Sequence, residues 1–226
     1  ISAISPGTEM LFYRGQAPSD VSVDATIPTL SGVVQYPLKY GYACVGRVVE
    51  LGDHVEKSWL GRLVFAFHPH ESHFVARVDA LIMVPDGLSA EQAALLPNME
   101  TAVSLVLDGG PLVGERVAIF GQGIVGLLTT AILAQFPLAQ LSVVDQIDQR
   151  RRQALILGAT KALGPAELAK EEYIDADLVY ELSGNPRALD QAIEAAGFDG
   201  RVVIGSWYGQ KRVDLNLGGR FHRSCI

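Results

Sequence analysis

The chain has 226 residues, of which 49% are hydrophobic, so it can form one large domain or two modest domains with substantial cores. Its formal net charge of −7 and the lack of a basic patch argue against nucleic acid as a partner. The sequence contains no apolar run of the roughly 18 residues that a membrane span needs, and we identify no signal peptide before the first motif. The composition therefore predicts a globular, cytoplasmic protein that binds neither nucleic acid nor a membrane.

The two cysteines, Cys44 and Cys225, are too few and too far apart for a disulfide framework or a cysteine-rich zinc lobe. We expect both to be free thiols, as is usual in the cytosol. The chain begins at residues 1–4 as if within a strand and ends at 221–226 without a terminating helix, so we expect sequence to be missing at both ends.

Strand signals dominate residues 1–110. Short apolar alternations separated by turn residues are typical of a compact, mostly antiparallel, barrel-like domain. The strands predicted there are 45–51, 62–68, 73–77 and 81–84, the last of which ends in the turn Pro85-Asp86-Gly87. Ser89 then provides an N-cap for a short helix, and a second helix is predicted from about Met99 to Leu107.

From residue 111 onward strands alternate with helices, which predicts an α/β domain with a doubly wound parallel sheet. The predicted strands are 116–121, 141–145, 161–164, 177–183 and 200–207. The predicted helices are 123–136, 147–158, 165–172 and 186–196. A complete dinucleotide-binding sheet has six strands, so a count of five agrees with missing C-terminal sequence. The predicted domains are therefore 1–110 and 111–226.

The run Val117–Gly126 has the pattern of a buried strand, a tight glycine turn and the start of an apolar helix. Gly121 permits the turn, Gly123 lets the backbone approach a pyrophosphate, and Gly126 lets the helix pack closely on the strand. The N–H groups at the helix start then point at the phosphates. The predicted pyrophosphate-binding residues are Gly121, Gly123, Ile124, Val125 and Gly126.

Asp145 ends the next strand, about 20 residues further along the chain. A carboxylate there accepts hydrogen bonds from the adenosine ribose hydroxyls and repels a 2′-phosphate, which favours NAD over NADP. Arg150, Arg151 and Arg152 leave an alternative open, because one of them could contact a 2′-phosphate, although such arginines more often form a solvated helix face. A glycine-rich turn that binds no ligand is the other alternative.

Several motifs, taken in order, resemble those of the medium-chain dehydrogenase/reductase superfamily, the group that contains zinc alcohol dehydrogenases and quinone reductases. The segments that carry the resemblance are 4–9, 41–52, 84–89, 93–102, 181–185 and 200–205. The resemblance implies a GroES-like β-barrel catalytic domain followed by a Rossmann domain. It also implies cofactor contacts from Thr101, Ser183 and Ser206, and a homodimer.

The zinc ligands of that superfamily are the main departure. The zinc branch has a Cys in the first loop, where this chain has Pro6, and a His where it has Tyr42, followed by Ala43 in place of an acid. The third ligand position falls near Pro97 or Asn98, neither of which is a plausible zinc ligand. Catalytic zinc needs about three protein ligands, so the resemblance implies a zinc-free member with no metal site.

Three side chains are candidates to polarise a substrate oxygen or carry its proton without zinc. Thr8 matches the hydroxyl residue that relays protons in the zinc branch, with a turn residue as the alternative. Tyr42 replaces a zinc ligand and can donate to an oxyanion, with simple void filling as the alternative. His68 falls, by resemblance, among substrate-pocket residues, and imidazole suits acid–base work near neutral pH.

The histidines around Pro69 leave a further alternative open, because His68, His70 and His73 with Glu71 could bind a metal. A solvated loop position is the expectation for His70. The remaining polar residues near the predicted site, Glu9 and Glu100, are expected to support the structure, Glu9 by accepting backbone hydrogen bonds in the first loop. Cys44 is expected to be a small buried hydrophobe.

Within the superfamily, Ser5–Glu9 followed by Tyr13–Gly15 is most similar to the bacteriochlorophyllide-type hydroxyethyl dehydrogenases and their relatives. The leading hypothesis is a zinc-independent, NAD-dependent oxidoreductase that transfers a hydride to or from a secondary alcohol or ketone. One alternative is an NAD(P)H-dependent quinone or enoyl reductase of the same superfamily. Another is a catalytically silent NAD-binding sensor or assembly protein.

Overall fold

A computed structural model describes the chain apart from residues 19–22, 24–26, 28–29 and 171–173. The chain forms two compact units, Ile1–Pro97 and Asn98–Ile226. The boundary predicted from sequence lies at 110/111, and the assignment of a catalytic and a cofactor domain stays a prediction. Within the described ranges, every helix is too short or too polar to cross a membrane.

The first unit contains a three-stranded antiparallel sheet in the order β1-β2-β3. Its strands are β1 Cys44–Arg47, β2 Leu63–Ala66 and β3 Leu81–Met83. Cys44 pairs with Ala66, which in turn pairs with Leu81. The core beneath the sheet centres on Val45 and Phe65, each about 1% exposed, and on small residues of the next helix.

Two short helices flank this sheet, α1 Thr8–Tyr13 and α2 Ala90–Ala93. The predicted N-cap at Ser89 is confirmed: its hydroxyl accepts a hydrogen bond from the Gln92 N–H at 3.2 Å, and the Gln92 side chain accepts one from the Ser89 N–H at 2.9 Å. This reciprocal pair satisfies two N–H groups that would otherwise lack a partner at the helix start.

The predicted strand 73–77 is wrong. These residues form an irregular segment that leads into a 3-10 turn at Val78–Ala80, and Val75 is 99% exposed. Apolar alternation indicates a strand only where one face can be buried, and here neither a partner strand nor a core covers it. In the described part of this unit the antiparallel region is a small sheet, where a barrel was expected.

The second unit contains a five-stranded parallel sheet in the order β6-β5-β4-β7-β8, as predicted for an α/β fold. Its strands are β4 Arg116–Phe120, β5 Gln140–Val144, β6 Lys161–Leu163, β7 Ala176–Glu181 and β8 Ala196–Ile204. The remaining helices are α3 Leu96–Gly109, α4 Ile124–Leu133, α5 Asp148–Ile156, α6 Pro165–Leu168 and α7 Pro186–Ala195. The predicted helix 165–172 therefore ends earlier, and its last two residues lie outside the described ranges.

Helices cover both faces of this sheet. Along β4, Val117 and Ile119 pack into a cluster with residues of α3, α4 and α5. Ala118 and Phe120, which point the other way, pack into a second cluster with residues of α7. Because β4 is buried on both sides, its carboxyl end is held rigidly at the point where the strand order reverses.

Tyr180 of β7 is fully buried, and its hydroxyl has no hydrogen-bond partner within the described part of the chain. A methyl group added at Gly109 would lie 2.1 Å from that hydroxyl, so α3 approaches β7 too closely for any side chain there. Burial raises the pKa of Tyr180 to about 12. The fold therefore favours the protonated phenol over the phenolate.

We expect Tyr180→Phe to keep the fold at neutral pH and to make it more resistant to alkali. The tyrosine pKa is near 10 in the unfolded chain and about 12 in the folded protein. Above pH 10 the unfolded chain therefore releases this proton more readily than the folded protein does, and the free energy of unfolding falls as the pH rises toward 12. Relative to the Phe variant, the wild type should lose about 2 kcal/mol of unfolding free energy between pH 8 and about pH 11.5. Urea unfolding across this range measures the difference, and a pH-independent difference would contradict the assignment.

Candidate functional site

The loop between β4 and α4 turns at Gly121, whose φ of +96° lies in the region that favours glycine. A Cβ there would lie 2.6 Å from the backbone nitrogen of Ser183, so the turn also packs directly on the chain that follows β7. Gly121 therefore has the role predicted for the first glycine of the motif, because both the backbone conformation and the available space exclude a side chain.

The other two glycines differ in what surrounds them. A Cβ at Gly126 would lie 2.0 Å from the Gly121 carbonyl oxygen, so close packing of α4 on the turn requires glycine. A Cβ at Gly123 would have no heavy atom within 4 Å, so this residue faces open space. Among the residues that the structure describes, no side chain caps the start of α4, so the N–H groups of its first turn are available to an anion.

Gln122 is fully buried and braces the turn from inside. Its side-chain amide donates to the Gly121 carbonyl at 3.2 Å and accepts from the Thr130 hydroxyl of α4 at 3.0 Å. Its backbone N–H donates to Asp145 Oδ2 at 2.7 Å. The sequence reasoning missed this residue, since a Gln between two motif glycines carries no signal of burial.

Asp145 lies directly after β5 and is 9% exposed. Oδ2 accepts the Gln122 N–H, and Oδ1 accepts the Ile147 N–H at 2.8 Å. Each carboxylate oxygen can accept a second hydrogen bond, so capacity for a ligand hydroxyl remains. The structure thus couples the predicted ribose-binding acid to the glycine turn through one backbone hydrogen bond.

The three arginines of α5 have different partners. Arg150 Nη1 lies 3.8 Å from Asp145 Oδ2 and is 43% exposed. Arg151 donates to the Asp145 backbone carbonyl at 2.8 Å and pairs with Asp148, and Arg152 also pairs with Asp148. Arg151 and Arg152 therefore pair with an acid in the first turn of their own helix, whereas the guanidinium of Arg150 lies beside the Asp145 carboxylate.

The predicted cofactor contacts Ser183 and Ser206 form hydrogen bonds within the protein. Ser183 donates from its N–H at 2.8 Å and from its hydroxyl at 2.5 Å to Glu181 Oε1. Ser206 Oγ accepts the Gly184 N–H at 2.8 Å and donates to the Glu181 carbonyl at 3.3 Å. The sequence reasoning missed Glu181, although an acid at the end of an apolar strand was the signal that identified Asp145.

Thr101 lies on the exposed side of α3. Leu105, one turn further along that helix, packs against Gly205 at the end of β8, where an added Cβ would lie 2.6 Å from the leucine Cδ2. The structure therefore places the helix that carries Thr101 beside the loop that carries Ser206. A contact of either side chain with a cofactor stays a prediction.

In the first unit, the segments that carry Thr8, Tyr42 and His68 lie next to one another. The ring of Phe12 in α1 lies against that of Tyr40, with centroids 4.1 Å apart and planes tilted by 34°, and Tyr40 meets Tyr42 edge to face at 6.2 Å. Thr8, the first residue of α1, and Tyr42 are both half-buried. The predicted catalytic roles of these residues stay predictions.

His68 is held in a defined position. Its ring stacks on Phe74 with centroids 3.7 Å apart and planes 9° apart. Its Nδ1 lies 3.0 Å from the Pro69 carbonyl and 3.5 Å from Glu71 Oε2. The Nε2 edge is therefore the one left to meet a ligand, and the side chain is 15% exposed.

The expectation of a solvated His70 is wrong. Its Nε2 lies 2.5 Å from Glu9 Oε2, its Nδ1 contacts the Ser2 hydroxyl, and its backbone N–H donates to the Tyr40 carbonyl at 3.1 Å. Glu9 is 7% exposed and accepts the Ser5 N–H at 2.8 Å, as expected for a residue that supports the first loop. His70 thus joins the first loop to the Tyr40–Tyr42 segment.

Within the described ranges, no three side chains of His, Cys, Asp or Glu are grouped so that they could hold a metal ion. Cys44 is buried, as expected, and burial raises the pKa of its thiol.

Comparisons with known proteins show which chains this one is similar to. Residues 125–223 match the family described as Zinc-binding dehydrogenase. The chain is 28% identical over 232 residues to (R,R)-butanediol dehydrogenase of Bacillus subtilis, covering 88% of this chain and 66% of that protein. It is 24% identical over 215 residues to Sorbitol dehydrogenase 1 of Saccharomyces cerevisiae, covering 76% of this chain and 60% of that protein.

A solved structure, a zinc-binding dehydrogenase from Sinorhizobium meliloti bound to NADP, matches with a TM-score of 0.74 and 20% identity, covering 98% of this chain and 72% of that one. This similarity confirms the fold class, a small antiparallel sheet and a parallel Rossmann-like sheet. The family match covers residues 125–223, which lie in the second unit. The chain spans 60% to 66% of the length of the two curated relatives. The zinc-free and bacteriochlorophyllide-type assignments stay predictions.

Proposed function

We propose that the protein is a zinc-independent, NAD-dependent oxidoreductase that transfers a hydride between the cofactor and a secondary alcohol or ketone. The observation that carries the proposal is the glycine turn, in which Gly123 faces open space beside the uncapped start of α4. Asp145, joined to that turn by the Gln122 N–H, adds the acid that such a site needs. The dehydrogenase relatives support the reaction class.

The proposed cofactor site uses backbone groups first. The N–H groups of Gly123–Gly126 and the dipole of α4 would hold the pyrophosphate. The remaining lone pairs of Asp145 would accept the adenosine ribose hydroxyls. Thr101, Ser183 and Ser206 would line the site on the side of α3, β7 and β8. When bound, the nicotinamide ring supplies the hydride or accepts it.

We propose NAD as the preferred cofactor because the Asp145 carboxylate would repel a 2′-phosphate. Arg150 opposes this preference, since its guanidinium lies 3.8 Å from Asp145 Oδ2 and is partly exposed. The carboxylate is nearly buried and fixed by two backbone N–H groups, whereas the arginine side chain is 43% exposed, so its charge is screened by solvent. The fixed negative charge should therefore decide the preference.

The substrate oxygen would be handled by side chains of the first unit. Tyr42 and Thr8 would donate hydrogen bonds to the oxygen, and His68 would take up or release its proton through Nε2. The positions that resemble zinc ligands hold Pro6, Tyr42 and Ala43, whose side chains give no set of metal donors. The proposed reaction therefore uses no metal. A small molecule is the proposed partner, and a cytoplasmic homodimer stays a prediction.

The zinc-free claim predicts that a strong chelator leaves activity unchanged. The full-length protein is dialysed against a zinc chelator and assayed with NAD on a panel of secondary alcohols, alongside a zinc alcohol dehydrogenase treated in parallel. We expect this protein to retain its rate within about twofold while the control loses activity. Complete loss of activity that zinc restores would overturn the zinc-free part. Binding of NAD without turnover of any substrate would favour the silent NAD-binding alternative.

A further inference from the structure

Glu181, at the carboxyl end of β7, is a fully buried acid, and no ion pair within the described part of the chain includes it. Its carboxylate accepts four hydrogen bonds from described residues. Oε1 accepts the Ser183 N–H, the Ser183 hydroxyl and, at 3.2 Å, the Gly184 N–H. Oε2 accepts the Tyr208 hydroxyl at 2.7 Å. A buried carboxylate without hydrogen-bond donors would destabilise the fold, so the conformation of the surrounding loops depends on these hydrogen bonds.

Several hydrogen bonds join the end of β7 and the loop after it to the residues that follow β8. Tyr208 donates to Glu181, Ser206 accepts the Gly184 N–H at 2.8 Å, and Lys211 Nζ donates to the Gly184 carbonyl at 2.8 Å. Burial, together with the hydrogen bond to Glu181, raises the pKa of Tyr208 and keeps the phenol a donor over the working pH range. The two loops are thereby held as one piece beside the glycine turn.

The position of these loops indicates which half of a dinucleotide they would meet. In the order β6-β5-β4-β7-β8, the glycine turn follows β4 and the ribose-binding acid follows β5. A dinucleotide crosses such a sheet at the strand where the order reverses, which is β4. The adenosine half then lies toward β5, so the other half extends over the ends of β7 and β8.

We propose that Glu181 and Tyr208 are positioning residues that preset the loops 182–185 and 205–208 to receive the nicotinamide half of the cofactor. This inference rests on the proposed function, since it concerns the same cofactor. Glu181 is too deeply buried to touch a ligand, so its effect passes through the backbone of Ser183 and Gly184 and through Tyr208.

The test compares nucleotides that do and do not reach the β7 side. NADH and AMP are titrated against the full-length wild type, Tyr208→Phe and the matched control Tyr180→Phe. The control also removes a phenol oxygen, but one that has no partner in these loops. We expect Tyr208→Phe to weaken NADH about tenfold while AMP stays within about twofold. Tyr180→Phe should bind both nucleotides as the wild type does.

A second pair of variants separates positioning from bulk stability. Glu181→Ala should weaken NADH more than Tyr208→Phe does. Glu181→Gln should restore most of the affinity, because its amide oxygen can still accept from Ser183 and its N–H can donate to the Tyr208 oxygen. Unchanged NADH binding in a folded Tyr208→Phe, or equal weakening of NADH and AMP, would overturn the inference. If the wild type binds neither nucleotide, the proposed function is wrong, and this inference, which depends on it, is wrong as well.

Discussion

Gly123→Ala is expected to block dinucleotide binding while leaving the fold intact. A Cβ at this position meets no atom of the protein, and φ of −69° is comfortable for alanine. The unfolding free energy should stay equal or rise by up to about 1 kcal/mol. The added methyl group would stand where the pyrophosphate must approach the backbone, so affinity for NADH should fall on the order of 100-fold.

Gly126→Ala provides the contrast, because its Cβ would lie 2.0 Å from the Gly121 carbonyl oxygen. Backbone must move to relieve this contact, so we expect a loss of about 3 kcal/mol of unfolding free energy together with the loss of binding. Chemical unfolding and NADH fluorescence titration on both variants give the comparison. If Gly123→Ala binds NADH as tightly as the wild type does, the pyrophosphate does not approach the backbone at Gly123.

Asp145→Asn is expected to change cofactor preference. The asparagine oxygen can still accept one backbone N–H, whereas the negative charge that would repel a 2′-phosphate is gone. Arg150, 3.8 Å from the carboxylate in the wild type, would then be free to meet that phosphate. We expect the ratio of NADP to NAD affinity to rise about tenfold or more, measured by titrating both reduced cofactors.

Two further variants make this prediction specific. Asp145→Ala removes the acceptors of the Gln122 and Ile147 N–H groups, so it should weaken both cofactors as the glycine turn loosens. Arg150→Ala in the Asp145→Asn background should remove the gain for NADP. If Asp145→Asn has the same ratio of NADP to NAD affinity as the wild type, Asp145 does not distinguish the two cofactors at the ribose.

The sequence was sufficient where the structure is determined locally. The glycine turn from β4 to α4 and the capping box at Ser89 depend on residues a few positions apart, so their patterns identified them. The strand predicted at 73–77 failed because alternation does not specify a partner, and that segment has none in the described structure. A strand depends on what lies beside it as much as on its own residues.

The residues missed by sequence reasoning are defined by distant contacts. His70 meets Glu9 across 61 positions, and Tyr208 meets Glu181 across 27. Nothing near His70 in the sequence distinguishes a half-buried, paired histidine from a solvated one. Glu181 could have been noticed as an acid that ends a buried strand, but the donors that surround it are assembled only by the fold.

The most direct test of the account is an equilibrium titration of the full-length protein with NADH in the presence of a zinc chelator. We predict saturable binding with one cofactor per chain, competition by AMP, and loss of that binding in Gly123→Ala. Absence of saturable binding by the folded wild type, or binding that requires added zinc, would contradict the account.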